Sequence, residues 1–141
     1  MLFEESLPYL IAQISTVYKV SLEKSMRAVD LHGGQIFVLI LLWKEDGLSQ
    51  IYLAGELRVS PPTINKMVKS LAANGFVECR QCQSDGRLTR IFLTEKGRSV
   101  RPAVEGQWRQ LETALLGNLT ETEKLILFQL LGKLKDRLVA G

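Results

Sequence analysis

The chain has 141 residues, 46% hydrophobic and 23% charged, with a net charge of +3. That length can bury a core within one domain, and four prolines with eleven glycines leave little room for a disordered tail. The longest apolar run, residues 36–43, is far too short to span a bilayer, and no leader pattern precedes it; no membrane span and a cytoplasmic protein are expected.

In chain order, Leu7, Leu10, Ile11, Ile14, Val17, Tyr18, Leu22, Met26 and Val29 step by three and four, which predicts one amphipathic helix over residues 4–29. At about 1.5 Å per residue it would approach 40 Å, more than a domain of this size needs for its own core, and the excess points to a partner. His32-Gly33-Gly34 breaks it. Residues 35–44 form a nearly all-apolar scaffold helix, ended by Asp46-Gly47, and Ser49 caps a short helix over 51–57 with Leu53, Ala54 and Leu57 inward. Arg58-Val59 is a turn.

The next helix opens at Ser60-Pro61-Pro62, where either Ser60 or Pro61 caps it, because proline at a helix start loses an N–H that has no intrahelical partner anyway. Ile64, Met67, Val68 and Leu71 form its inward stripe, leaving Thr63, Asn65, Lys66, Lys69 and Ser70 outward. Asn74-Gly75 stops it. Two polar-alternating segments follow, carrying Cys79, Arg80 and Cys82, then Arg90, Ile91, Phe92 and Leu93, with Ser84-Asp85-Gly86 as turn chemistry between them. Arg87 and Arg90 project from this hairpin. Thr94 caps a further helix that Pro102 and Gly106 interrupt, and Thr120-Glu121-Thr122-Glu123 is a capping box for a last helix whose apolar arc is too broad for one contact face.

Charge is unevenly spread. Residues 1–48 carry −2, residues 49–101 carry +5 and residues 102–141 are neutral. A positive field confined to the helix-hairpin region attracts a polyanion and makes binding weaken as salt rises. A short helix with a basic outer face suits a DNA major groove, and hairpin arginines suit phosphate or a narrow minor groove.

On Leu53-Ala54, Leu57, Val59-Ser60, Thr63, Leu71, Gly75-Phe76-Val77, Asp85-Gly86-Arg87 and Leu93-Thr94-Glu95-Lys96-Gly97, the chain resembles the MarR family of winged helix-turn-helix regulators. The wing signature of Asp85, Arg87 and Leu93-Thr94 is the most specific part. The resemblance implies a mainly α fold with a small β-wing, in which residues 35–101 form the winged helix-turn-helix and residues 1–34 and 102–141 supply dimerisation helices, all within one domain 1–141. It also implies that Ser60, Pro62, Thr63 and Lys66 face the major groove, that Arg87 reads the minor groove and that Asp85 orients it. Lys69, Arg80 and Arg90 are expected to add phosphate contacts. The expected partners are a second copy and double-stranded DNA with a pseudo-palindromic site, half-sites about 34 Å apart. The expected mode is repression, released by a small aromatic or phenolic effector.

Other chemistry is weak. Cys79 and Cys82 lie three apart in a strand, so they point to opposite faces and do not readily share a metal. Two reduced thiols are the default, with a thiol-based redox sensor as an alternative. His32, at a helix corner, reads as a satisfied or exposed turn residue before it reads as a pocket residue, and Trp43 and Trp108 as core or pocket wall. No nucleophile–base pair, phosphate cradle or acidic metal cluster is present, so neither enzyme activity nor a cofactor is expected. A winged-helix module for protein partners is the remaining alternative.

Overall fold

Four of the helices start where a Ser or Thr side chain, Ser49, Ser60, Thr94 or Thr120, accepts from a free N–H of the first turn. The structure, a computed structural model, describes residues 1–81 and 88–141. Helix α1 spans Leu7–Arg27, with Ser6 before it, Pro8 in its first turn and a short 3-10 turn, Phe3–Glu5, ahead. It is shorter than the 4–29 expected. The carbonyl of Met26 accepts from the N–H groups of both Val29 and Leu31, and Asp30 adopts φ 61°, so the chain leaves the helix at this point.

Helix α2, Gln35–Lys44, buries Ile36, Val38, Leu39 and Leu42. Helix α3, Gln50–Leu57, is capped by Ser49, whose Oγ accepts from Tyr52 N–H at 3.1 Å. Helix α4, Pro61–Ala73, is capped by Ser60, which settles the choice between Ser60 and Pro61. Ile64, Val68 and Leu71 are its buried stripe, Met67 is half-buried, and the helix ends at Asn74 before Gly75 at φ 81°.

Strands β1 (Leu48–Ser49), β2 (Val77–Gln81) and β3 (Thr89–Leu93) form an antiparallel sheet in the order β1-β3-β2. The hairpin expected from the alternation is thus present, in the register Val77↔Leu93 and Arg80↔Arg90. Its pleat sends Val77, Ile91 and Leu93 into the core and leaves Glu78, Arg80 and Arg90 exposed. Strand β1 went unread because two residues are too few to show alternation. The expected turn at 83–86 lies outside the described residues, as does Cys82.

Thr94 caps α5, Glu95–Ser99, accepting from Gly97 N–H at 3.1 Å. Pro102 sits in the first turn of α6, Arg101–Leu116, and so marks a restart as expected; Gly106 does not interrupt α6, because a single glycine lowers helix propensity without removing a backbone hydrogen bond. Helix α7, Glu121–Ala140, opens with the full capping box: Glu123 Oε1 accepts from Thr120 N–H at 2.9 Å, and Thr120 Oγ1 accepts from Glu123 N–H at 3.2 Å.

The chain divides into two compact units, Met1–Gln107 and Trp108–Gly141, with α6 running through the boundary. In the first, Leu22 and Met26 are the only α1 residues fully in the core. Leu7, Leu10, Ile11, Ile14 and Val17 of the same stripe stay 45–64% exposed, so the N-terminal half of α1 does not fold back onto α2. In the second, α7 has no buried residue, and Leu125, Phe128 and Leu138 are 73%, 55% and 73% exposed. No helix among the described residues is long and apolar enough to cross a membrane.

Candidate nucleic-acid interface

Ser60, Pro62, Thr63, Lys66 and Lys69 all lie on α4 or its cap, and all are exposed. Positions 63, 66 and 69 recur every three residues and therefore share one flank of the helix. The helix contains no acidic residue, and neither lysine has a carboxylate partner among the described residues. Ser70, expected outward, instead turns partly inward, where its Oγ accepts from Gln35 Nε2 at 2.8 Å.

The amide groups that open α4 are already used. Pro61 and Pro62 have none, Thr63 N–H goes to Ser60 Oγ at 3.3 Å, and Ile64 N–H goes to Ser60 O at 3.0 Å. A helix N-terminus often binds anions through free N–H groups. Here that route is closed, and recognition falls to side chains. Ser60 Oγ donates to Thr63 Oγ1 at 2.9 Å, which leaves the Thr63 hydroxyl free to donate outward.

The wing adds two cations. Arg80 and Arg90 face each other across the β2–β3 ladder on the exposed side of the sheet. Like charges directly opposite destabilise a ladder, and each guanidinium has a neighbour that offsets this. Arg80 Nη2 lies 3.1 Å from Glu78 Oε2 with its guanidinium 4.4 Å from the centre of the Phe92 ring; Arg90 Nη1 donates to Gly47 O at 3.0 Å. Gly47, at φ 73°, disfavours a side chain, since that backbone conformation strains an L residue and a Cβ there would stand 2.8 Å from the Phe92 ring, which would have to shift. Asp85 and Arg87 lie outside the described residues.

Arg58 was missed as a site candidate by reading the sequence. It is exposed, adopts φ 55° as the C-cap of α3 and precedes the α4 cap by two residues, so it adds a cation at the helix-turn-helix corner. An arginine in a turn between two short helices was the available signal. Asn65 is a second addition: Gln50 Nε2 donates to its Oδ1 at 3.5 Å, and its own amide N–H groups stay available.

Among the described residues no group of three or more His, Cys, Asp and Glu could hold a metal ion. Burial pushes the Cys79 thiol pKa up, which favours the protonated, unreactive form. His32 is an exposed turn residue 3.8 Å from Glu23, and Trp43 is half-buried.

Residues 31–89 match the MarR family, a span that runs from Leu31 in the α1–α2 corner through the first residue of β3. The chain is also 32% identical over 101 residues to the HTH-type transcriptional regulator BilQ of Clostridium symbiosum, covering 72% of this chain and 70% of that protein. The chain belongs to the MarR family. It is a MarR-family DNA-binding transcription regulator and not an enzyme. The MarR fold extends along nearly its whole length: the crystal structure of MarR superposes with a TM-score of 0.86 at 23% identity, covering 96% of this chain and 98% of that one. A Listeria monocytogenes protein solved with a 26mer DNA superposes with a TM-score of 0.80 at 22% identity, covering 94% of this chain and 89% of that one.

Proposed function

We propose that this protein is a homodimeric, sequence-specific regulator that represses transcription from a pseudo-palindromic site and leaves it when a small aromatic or phenolic molecule binds. The observation that carries the reading is the acid-free outer flank of α4, with Thr63, Lys66 and Lys69 in line beside Ser60 and Pro62. This flank enters the major groove, where threonine and lysine side chains meet base edges and phosphates. Arg80 and Arg90 contact phosphates, since an anion between them relieves their mutual repulsion. Arg87 reads the minor groove and Asp85 orients it, by resemblance to the family.

Dimerisation is assigned to residues 1–34 and 102–141 around a winged helix-turn-helix of 35–101, the whole chain acting as one cytoplasmic domain. The exposed apolar stripes of α1 and α7 support this, because a large exposed apolar surface marks an interaction site. A two-fold dimer sets two copies of α4 on successive turns of DNA, about 34 Å apart. Seated there, it excludes other proteins from the same turns, which is the physical basis for repression. The Listeria monocytogenes protein solved with a 26mer DNA supports DNA of about this length as the partner.

The test is selection of bound sequences from a random duplex library, followed by a salt titration on the winner. A palindrome with half-sites one turn apart is expected, with affinity falling steeply as salt rises. Recovery of no sequence, with weak and purely salt-dependent binding, would overturn the sequence-specific reading in favour of a protein-binding module.

A further inference from the structure

Gln35 is the one polar residue that is buried among those described, at 5% exposure, and both ends of its carboxamide are used. Oε1 accepts from His32 N–H at 3.0 Å, and Nε2 donates to Ser70 Oγ at 2.8 Å. The second bond joins residues 35 apart in sequence and connects the start of α2 to α4. On the other side, the corner that supplies His32 N–H is held to α1, because Gly33 N–H donates to the Glu23 carboxylate, which also lies 3.8 Å from both Arg27 and His32. Polar contacts therefore run from α1 through the corner and Gln35 to the helix proposed to read DNA.

We propose that Gln35 is a positioning residue that sets the rotation of α4 and couples it to the α1–α2 corner. The apolar contacts of Ile64, Val68 and Leu71 hold α4 down, but burial is non-directional and leaves rotation about the helix axis loosely determined. A hydrogen bond constrains both distance and angle. Ser70 lies four residues after Lys66 and one after Lys69, so the bond acts on the same helix segment that carries the cations. Turning α4 by about 20° would shift its side-chain ends by roughly 2 Å, whereas recognition geometry tolerates about 0.5 Å. No buried side-chain polar atom among the described residues lacks a partner, and losing either end of this link would leave part of the Gln35 carboxamide unsatisfied.

The inference rests on α4 as the reading helix, and the test separates the two. In the full-length protein, affinity for the selected operator and for a random-sequence duplex is measured side by side for Gln35→Leu, Ser70→Ala, the double variant and Ser70→Thr. Ser70→Ala adds no volume and raises helix propensity, so it keeps the test decisive if Gln35→Leu does not fold. Expected is a loss of operator preference of about tenfold in either single variant, no further loss in the double variant, unchanged random-duplex binding, and retention of preference by Ser70→Thr, which keeps the hydroxyl. Preference unchanged in a folded Ser70→Ala, or equal losses on both duplexes, overturns the positioning role while the reading of α4 stands. A wild-type protein with no operator preference overturns both.

Discussion

The indole Nε1–H of Trp43 donates to the carbonyl oxygen of Gly97 at 2.9 Å, tying the end of α2 to the short helix α5 across 54 residues of sequence. Gly97 has no room for a side chain, because a Cβ would stand 2.1 Å from the carbonyl oxygen of Phe76. The clash is with backbone, so no rotamer change relieves it. Gly97→Ala is expected to cost at least about 2 kcal/mol of stability, and Trp43→Phe, which leaves the Gly97 carbonyl without its donor, about 1 kcal/mol. Urea unfolding midpoints check both; equal midpoints for Gly97→Ala and wild type would remove this contact from the stability of the wing base.

Lys66 has no carboxylate partner among the described residues, so its full charge is available to DNA. Lys66→Ala should reduce operator affinity and lower the slope of log K against log salt by about one. A variant that loses affinity with an unchanged slope would place Lys66 on a base edge and not a phosphate.

Ile14 and Leu125 are 56% and 73% exposed, each on a helix with an exposed apolar stripe among the described residues. Ile14→Asp and Leu125→Asp are expected to shift the proposed dimer to monomer in sedimentation equilibrium, with little change in the thermal stability of the winged region. If both variants sediment as dimers, the partner surface lies elsewhere.

Glu123 carries the pH-sensitive contact of the α7 cap. The backbone N–H of Thr120 and then its hydroxyl hold the carboxyl pKa below the ordinary value of 4.5. A depressed folded-state pKa means that the capping contribution is fully present above 4.5 and is lost as pH falls through the lowered value. Glu123→Gln should therefore flatten the acid limb of α7 helicity, followed by far-UV circular dichroism from pH 5 downward, roughly the range in which carboxylates protonate. Identical acid limbs would show the cap is not the titrating element.

The raised pKa of Cys79 bears on the redox alternative. Alkylation of Cys79 in a Cys82→Ser variant at neutral pH should be slower than that of a free cysteine, and Cys79→Ser should leave DNA binding under mild peroxide unchanged. Loss of an oxidant response in Cys79→Ser would restore the thiol-sensor reading.

The parts legible from sequence were those decided within a few residues. Ser49, Ser60, Thr94 and Thr120 each cap a helix because the accepting oxygen and the free N–H are three positions apart, and that distance is visible in the sequence. The alternation of β3 and the inward stripe of α4 are equally local, and the family resemblance rested on motifs of this kind. Tertiary structure decided the rest. Leu48–Ser49 became a strand only because β3 offered it an open edge, Asp46 Oδ1 was recruited by Leu93 N–H at 2.8 Å, and Arg90 was turned toward Gly47. Ser70 read as solvent-facing until Gln35 met it across 35 residues. Helical periodicity marked the apolar stripe of α1 correctly, yet only packing determined that Leu22 and Met26 are covered and Ile14 and Val17 are not. Periodicity records which side chains avoid water, and it carries no record of which distant segment, or which second chain, takes the water's place.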